Sequence, residues 1–269
     1  GQPWIVRPIR LRGNLELVFE PGVVIWAKQG EFKGKGDALF TAASVTGLTL
    51  RGYGATFRMR HEDYLSSAYE KAEWRSTVDL AGCTNVLIEG LRLESSGGDG
   101  IYVGCTAQQP YCQDVIVRNV ICSDHHRQGI SVIGAQNLLI ENCELSHTHG
   151  TAPEAGIDFE PNLPEERLVN CVVRNCSIRN NKGAGILIYL KNLTRESEPV
   201  SLRFENCHII GSNDVGMGIG AVSDQGPQGL IEFAHCVVEG PAKAGAYLYD
   251  KSARGARVRF VNCHWREVW

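Results

Sequence analysis

The stretch GGDGIYVG (residues 97–104) contains a glycine followed by residues of alternating polarity, and five similar stretches follow it. These are HRQGISVIG (126–134), PEAGIDFEP (153–161), KGAGILIYL (182–190), NDVGMGIGA (213–221) and AKAGAYLYD (242–250). The shared glycines, from Gly100 to Gly245, are separated by 29, 27, 29, 31 and 29 residues. Self-similarity at a fixed period of about 20–50 residues indicates a repeat architecture, in which each unit buries its apolar face against its neighbours.

A second apolar run occurs in each period, and it leads into a recurring asparagine and a recurring cysteine. The cysteines are Cys143, Cys176, Cys207, Cys236 and Cys263, and the asparagines are Asn119, Asn142, Asn175, Asn206 and Asn262. We interpret the thiols as a buried stack of small hydrophobic groups and the amides as a hydrogen-bonded column at a tight turn. Short alternating runs without a helical pattern predict an all-β fold, a single-stranded parallel β-helix with coils of about 27–31 residues.

One domain is predicted for residues 1–269. Residues 1–60 form N-terminal coils, residues 61–77 (HEDYLSSAYEKAEWRST) an inserted loop or short helix, and residues 78–269 the regular coils. The ends of a solenoid need covering, so we expect caps, further domains or other protomers there. Cys105 and Cys112 flank a short loop and are the best candidates for a disulfide.

Composition excludes some classes of partner. The net charge is -3 and no basic stripe is present, which argues against nucleic acid. No apolar run approaches the roughly 18 residues of a membrane span. The first residues, GQPWIVRPIR, lack the pattern of a signal peptide.

The chain resembles the right-handed parallel β-helix proteins of the pectin-lyase-like superfamily. The residues that carry the resemblance are NLELVFEPGVVI (14–25), NVLIEGLRLESSGGDGIYVG (85–104) and NLLIENCEL (137–145). The superfamily includes polygalacturonases, pectate lyases and alginate C5-epimerases, so the resemblance implies a right-handed coil, a polysaccharide or oligosaccharide ligand and an extracellular or periplasmic location. The polygalacturonase motifs NTDG, GHG and RIK are absent. The epimerase motif DPH is also absent, although AGIDFEPN (155–162) occupies a position in the repeat similar to that of DPH in the epimerases. The reaction therefore stays open.

The outward face of the repeated strand holds the first candidate catalytic pair, Asp158 and Glu160. Because side chains alternate along a strand, residues that follow the inward Ile101, Ile130 and Ile157 point outward. Two carboxylates two residues apart, about 6.6–7 Å along a strand, suit acid–base work on a glycosidic bond. Proximity of like charges raises the pKa of one of them, as a general acid requires.

Further residues near this face are assigned by their slots in the repeat. Arg127 and His126 complete the catalytic set, and Arg127 is expected to neighbour Glu154, which occupies the equivalent slot of the next coil. The substrate-binding set, expected to stack on sugar rings or to contact their polar groups, is Tyr102, Asp99, Glu154, Tyr189, Lys191, Tyr247 and Tyr249.

Three functions remain open. The first is a glycoside hydrolase that uses Asp158 and Glu160. The second is a lyase or C5-epimerase of uronate polymers, in which Arg127 and Lys191 neutralise the uronate and His126 or Tyr189 is the base. The third is a non-catalytic carbohydrate-binding β-helix. No residue is assigned to a metal, although the cluster of His125, His126, His147 and His149 offers imidazoles, and Ca²⁺ bound by Asp158 and Glu160 is the cofactor considered.

Overall fold

The protein is a solenoid of parallel strands. The structure, a computed structural model, describes residues 1–220 and 223–268. Strands of successive coils pair in parallel. On the repeated face, for example, Ile130 is the partner of Ile157, and Ile157 is the partner of Ile186. This confirms the predicted parallel β-helix. In the described ranges no helix has the length and apolar character needed to cross a membrane.

One face of the solenoid is a sheet of nine strands, one from each coil. In chain order, with the numbering of all strands continuous along the chain, they are β2 (Ile9–Arg10), β5 (Phe40–Ala43), β7 (Val78–Ala81), β9 (Ile101–Gly104), β12 (Ile130–Val132), β15 (Ile157–Phe159), β18 (Ile186–Tyr189), β21 (Met217–Gly220) and β24 (Ala246–Leu248). The repeated Gly-led stretches form strands β9 to β24 of this face.

The other strands form a second, seventeen-stranded sheet that bends at the asparagine turn. Its strands are β1 (Trp4–Val6), β3 (Leu15–Val18), β4 (Val24–Ala27), β6 (Thr46–Arg58), β8 (Thr84–Glu94), β10 (Cys112–Arg118), β11 (Ile121–Ser123), β13 (Ala135–Glu141), β14 (Glu144–Ser146), β16 (Leu168–Arg174), β17 (Ser177–Arg179), β19 (Val200–Glu205), β20 (His208–Ile210), β22 (Gly229–Ala234), β23 (Val237–Glu239), β25 (Arg257–Val261) and β26 (His264–Arg266). The strand before the turn pairs with the strand before the turn of the next coil, as β13 does with β16. The strand after the turn pairs in the same way, as β14 does with β17.

The turn between these strands explains the asparagine column. Asn142, Asn175 and Asn206 have positive φ angles of 55, 55 and 51°, a left-handed conformation that asparagine tolerates better than most residues. Nδ2 of Asn175 donates to Oδ1 of Asn142 at 3.3 Å, and Nδ2 of Asn206 donates to Oδ1 of Asn175 at 3.4 Å. The predicted amide column is therefore present, and it lies on the exposed corner of the coils.

Replacement of an asparagine in this column is expected to destabilise the fold. Asn175→Ala places an alanine at a positive φ and removes two amide contacts, so we expect the free energy of unfolding to fall by about 1–2 kcal/mol. Asn175→Gly avoids the backbone strain and is expected to cost less. Urea titration measures both variants. Asn213→Ala, at an exposed asparagine without a positive φ, is the matched control, and an equal loss there would contradict the explanation.

The cysteine column lies just inside the turn. Cys143, Cys176, Cys207 and Cys236 are buried, and Cys263 at the last coil is half-buried. Each thiol lies near a turn carbonyl, for example Sγ of Cys176 at 3.3 Å from the oxygen of Arg174. All ten cysteines are free thiols, so the disulfide between Cys105 and Cys112 is not formed. Sγ of Cys105 instead contacts Oε1 of Glu166 at 2.9 Å, while Cys112 points into the core.

The segment 61–77 packs on the side of the coils, and a buried arginine makes several of its contacts. It contains helix α1 (His61–Tyr64) and is otherwise irregular. Arg75 is fully buried, and its guanidinium donates to the carbonyl oxygens of Phe32 at 2.8 Å, Lys33 at 3.2 Å and Glu70 at 2.7 Å. Its charge also lies over the ring of Tyr64, 5.5 Å from the centroid. This arginine thus joins the N-terminal coils to the segment.

Candidate active site

The nine-stranded face carries the expected outward column of side chains. Tyr102 is the Cα partner of Ser131, Ser131 of Asp158, and Asp158 of Leu187 in successive coils. The column continues toward the N-terminus, because Asp79 of β7 pairs with Tyr102. Asp79 is not among the predicted site residues, although the alternation in VDLA (78–81) is a signal that identifies it.

A pocket of about 280 Å³ lies on this face. Its wall is shared by the coils and by the segment 61–77, which contributes Trp74. The lining residues are Trp74, Ser76, Asp79, Asp99, Tyr102, Arg127, Ile133, Glu160 and Asn162. Four of the predicted site residues, Asp99, Tyr102, Arg127 and Glu160, are therefore brought together.

Asp99 is the most perturbed acid of the pocket wall. Its residue is 1% exposed, and Oδ1 accepts the backbone N–H of Gln128 at 3.1 Å. Burial raises its pKa to about 7, against the opposing effect of the Arg127 charge. Burial also raises the pKa of Asp79 to about 6. Asp99 is therefore largely protonated below neutral pH.

Glu160 has the opposite surroundings, because it faces a cation. Its Oε2 lies 3.6 Å from Nη2 of Arg127, whose Nε lies 4.0 Å from Oε1 of Glu73. The Arg127 side chain is 14% exposed and that of Glu160 is 29% exposed, so the pair is partly shielded from water. Glu160 and the guanidinium therefore form a partly shielded ion pair at the pocket.

Asp158 lies behind the pocket and does not line it. It is 0% exposed, and Oδ2 accepts Nε2 of Gln128 at 3.1 Å, while Oδ1 has no hydrogen-bond partner. Burial raises the pKa of Asp158 well above its usual range, and the charge of Glu160 adds to this effect. The position of Asp158 in the column was predicted from the sequence, but its burial was not. Because it is buried and does not line the pocket, Asp158 does not contact a ligand bound there.

Two aromatic side chains wall the same pocket. The ring of Tyr102 lies over Gly104, where a Cβ atom would sit 2.2 Å from Cε1 of the tyrosine. Glycine is therefore required for this ring position. Trp74 is half exposed and stands on the opposite element. Flat aromatic rings of this kind present apolar faces to a ligand and keep their polar edges wet.

His126 and Glu154 are not brought to this pocket. His126 lies beside a separate cavity of about 860 Å³ under the segment 61–77. Its Nδ1 is 2.8 Å from Nε2 of His61, and its Nε2 is 2.9 Å from Oγ1 of Thr151. Glu154 has a φ of 53°, and its Oε1 lies 2.8 Å from Nζ of Lys182. It therefore pairs with Lys182 and not with Arg127, although Arg127 and Glu154 occupy equivalent positions in successive coils.

The remaining tyrosines form a strip along the later coils. Tyr189 and Tyr249 have ring centroids 6.3 Å apart, and Tyr249 and Tyr247 are stacked at 5.7 Å. A Cβ on Gly220 would lie 1.8 Å from Cζ of Tyr249, so this ring also depends on a glycine. Lys191 lines an open depression of about 820 Å³ with Tyr189 and does not reach the pocket.

The oxygen set at Asp158 and Glu160 does not fit Ca²⁺. That ion takes about 6–8 oxygen ligands, whereas Asp158 is a buried acid with a raised pKa and Glu160 already faces Arg127. In the described part of the chain, the group of His, Cys and carboxylate side chains spaced to hold a metal is elsewhere, at His61, Asp124 and His149. His61 lies in the inserted segment, so the repeat pattern gave no indication that it belongs to this group.

A family model described as "right handed beta helix region" matches residues 70–224. The chain belongs to this β-helix family. The match covers the coils that carry the pocket, including Asp99, Arg127 and Glu160. It agrees with the resemblance identified from the sequence.

Two solved structures share the β-helix fold along 98% of this chain. An exopolygalacturonase from Thermotoga maritima has a TM-score of 0.62 at 16% identity, with 71% of its own chain covered. An endo-xylogalacturonan hydrolase from Aspergillus tubingensis has a TM-score of 0.60 at 12% identity, with 83% of its chain covered. At these identities the likeness shows the fold alone.

Two curated Bacillus subtilis (strain 168) proteins are similar to part of the chain. YclG, an uncharacterized protein, is 29% identical over an alignment of 198 residues, and the alignment covers 65% of this chain and 33% of YclG. YorA, a prophage-derived uncharacterized protein, is 24% identical over an alignment of 169 residues, and the alignment covers 59% of this chain and 28% of YorA. The chain thus matches only about a third of the length of these relatives.

Proposed function

We propose that this β-helix is a carbohydrate-active enzyme that hydrolyses a glycosidic bond in the pocket of Asp99 and Glu160. One observation carries the proposal, namely that two carboxyl groups with different surroundings line one pocket. The pKa of Asp99 is raised to about 7 by burial, whereas Glu160 is held beside the Arg127 guanidinium. Glycoside hydrolysis uses two carboxyl groups, one as a general acid and the other as a base or nucleophile.

In the proposed reaction each side chain has one task. Asp99 protonates the oxygen of the leaving sugar, and Glu160 activates water or attacks the anomeric carbon. Arg127 positions Glu160 and provides a cation for an acidic group on the sugar. Asp158, which is sealed behind the pocket, is a positioning residue that keeps Gln128 in place through its Oδ2 contact.

The size of the pocket indicates that it binds the end of a sugar chain and not a long segment of polymer. A volume of about 280 Å³ is just below the usual range of ligand pockets, about 300–1,000 Å³. Such a volume suits one sugar ring between Trp74 and Tyr102, with the following rings directed over Tyr189 and Tyr249. Both solved structures compared above are named for hydrolysis of polysaccharides, which is the ligand class proposed here. An extracellular or periplasmic location stays a prediction.

A panel of neutral and uronate oligosaccharides and polysaccharides tests this function. Reducing ends and the ultraviolet absorbance of unsaturated uronates are measured in the same incubation. New reducing ends without absorbance are the expected result. Saturable binding without any product would instead assign the β-helix to the non-catalytic carbohydrate-binding class.

A uronate lyase is the second candidate, and Arg127 is the observation that favours it. A guanidinium in the pocket suits neutralisation of a uronate carboxylate, which acidifies the adjacent carbon. The expected base, His126, and the second cation, Lys191, do not line this pocket. Glu160 would then be the base, and absorbance of an unsaturated product would identify this reaction.

The pH profile of the proposed hydrolysis follows from the raised pKa of Asp99. The acid must be protonated, so kcat/KM is expected to fall above about pH 7, approaching tenfold for each further pH unit. Steady-state rates between pH 4 and 9 measure this limb. A constant kcat/KM from pH 6 to 9 would contradict the assignment of Asp99 as the acid.

The same pKa predicts how stability changes with pH, independently of any substrate. The folded pKa of about 7 exceeds the usual 3.8, so the folded chain holds a proton that the unfolded chain has lost. Protonated Asp99 therefore contributes about 4 kcal/mol to the free energy of unfolding below pH 3.8, relative to high pH. This contribution is lost as the pH rises from 3.8 to about 7. Asp99→Asn is expected to remove this part of the pH dependence in urea titrations at pH 5 and 8.

A further inference from the structure

Three side chains from distant parts of the sequence meet beside the segment 61–77. His61 belongs to α1, Asp124 follows β11, and His149 precedes β15. Each offers a ligand atom within 4.8 Å of the other two. The rings of His61 and His149 are stacked with centroids 4.6 Å apart, and Nε2 of His149 is 2.7 Å from Oδ1 of Asp124.

Hydrogen bonds around His61 leave one of its nitrogens available. Nε2 of His61 lies 2.8 Å from Nδ1 of His126, and Nε2 of His126 lies 2.9 Å from Oγ1 of Thr151. If each Nε2 carries the proton, His61 donates to His126 and His126 donates to Thr151. Nδ1 of His61 then keeps its lone pair. This atom is buried without a hydrogen-bond partner, in a residue that is 3% exposed.

The carboxylate is oriented in a similar way. Oδ2 of Asp124 accepts the hydroxyl of Ser95 at 2.6 Å, which leaves Oδ1 directed at His149. Metal-binding histidines and carboxylates commonly use their second polar atom for such a fixing contact. The Ser95, His126 and Thr151 contacts therefore form an outer layer around two of the three potential ligands, His61 and Asp124.

We propose that His61, Asp124 and His149 form a binding site for Zn²⁺. Two imidazoles and one carboxylate suit zinc, whereas Ca²⁺ and Mg²⁺ prefer oxygen ligands. Tetrahedral zinc with bonds of about 2.0–2.1 Å needs ligand atoms about 3.3 Å apart, so the widest pair closes by up to roughly 1.5 Å. Water takes the fourth position, since the Asp124 and His149 side chains are 47% and 42% exposed.

The site would join the inserted segment to the coils. His61 is on the segment that also supplies Trp74 to the pocket, whereas Asp124 and His149 are on two successive coils. A metal bound by all three would therefore hold the segment against the solenoid. The role assigned to zinc is this cross-link, and it does not depend on the proposed hydrolysis.

Metal binding to chelator-treated full chain tests the proposal. Isothermal titration with Zn²⁺, and separately with Ca²⁺, gives the stoichiometry. We expect about one Zn²⁺ per chain, no comparable Ca²⁺ binding and, at a concentration 100-fold above Kd, a rise in melting temperature of about 5 °C. Co²⁺ in place of Zn²⁺ should give the visible absorption of a tetrahedral site with nitrogen and oxygen ligands.

Two variants and one matched control decide the assignment. His149→Gln and Asp124→Asn alter partly exposed side chains and are expected to fold, and each should weaken Zn²⁺ affinity by at least about 100-fold. His147→Gln changes an exposed histidine two residues away and should leave affinity within threefold. Zinc binding that survives both variants, or that His147→Gln reduces equally, would place the metal on other groups and overturn the proposal.

Discussion

Glu160→Gln is expected to lower kcat/KM for the hydrolysed oligosaccharide by about 10²–10⁴-fold, with little change in the fold. The substitution keeps the size of the side chain and removes the charge that faces Arg127 across 3.6 Å. A positioned acid or base contributes about that factor to the rate, and the neutral amide replaces neither function. Initial rates at pH 6 with one purified oligosaccharide measure the effect.

Two further variants separate this expectation from a general loss of structure. Glu165→Gln makes the same change at an exposed position nearby and should leave the rate within twofold. Asp158→Asn should reduce the rate less than tenfold, because burial and the charge of Glu160 already keep the Asp158 carboxyl protonated. If Asp158→Asn abolished activity and Glu160→Gln did not, the roles assigned to the two residues would be wrong.

Arg75→Met is expected to cause the largest loss of stability, about 3–5 kcal/mol. Three carbonyl oxygens, those of Phe32, Lys33 and Glu70, lose a charged donor that is worth about 1.5–3 kcal/mol each. Part of this loss is offset, because the guanidinium no longer has to be removed from water. Urea titration measures the free energy of unfolding, and hydrogen exchange of residues 61–77 reports whether the segment detaches first.

The control for this variant is an arginine on the outer surface. Arg203→Met removes a side chain that is 54% exposed and pairs with Glu205 and Glu232. Exposed ion pairs contribute about 0–1 kcal/mol, so this change should be small. Similar losses for the two variants, or unchanged exchange in the segment, would show that Arg75 does not anchor it.

The fold was readable from the sequence because its signals repeat. The glycines that lead the strands and the asparagines at the turns recur once per coil, so each coil confirms the assignment of the others. The register between Tyr102, Ser131 and Asp158 also followed from counting, since a parallel coil places equivalent residues side by side. Handedness entered through the resemblance to known β-helix proteins.

The site was only partly readable, because its decisive contacts do not repeat. Asp158 was expected to reach the ligand, yet Gln128 covers it, and the Gln128 side chain is a feature of one coil only. Trp74 and His61 come from the inserted segment, whose contacts with the coils, such as those of Arg75, occur only once. Periodicity carries no information about such contacts. Asp99 was assigned to the substrate, but its raised pKa depends on burial that only the packed structure shows.

The most direct test of the account is a crystal structure of Glu160→Gln soaked with the oligosaccharide identified by the panel. We expect a terminal sugar ring between Trp74 and Tyr102, with the glycosidic oxygen within hydrogen-bond distance of the Asp99 carboxyl. We also expect the next ring on Tyr189. A sugar bound only on the Tyr247–Tyr249 strip, or an Asp99 carboxyl out of reach of the glycosidic oxygen, would contradict the assignment of this pocket as the active site.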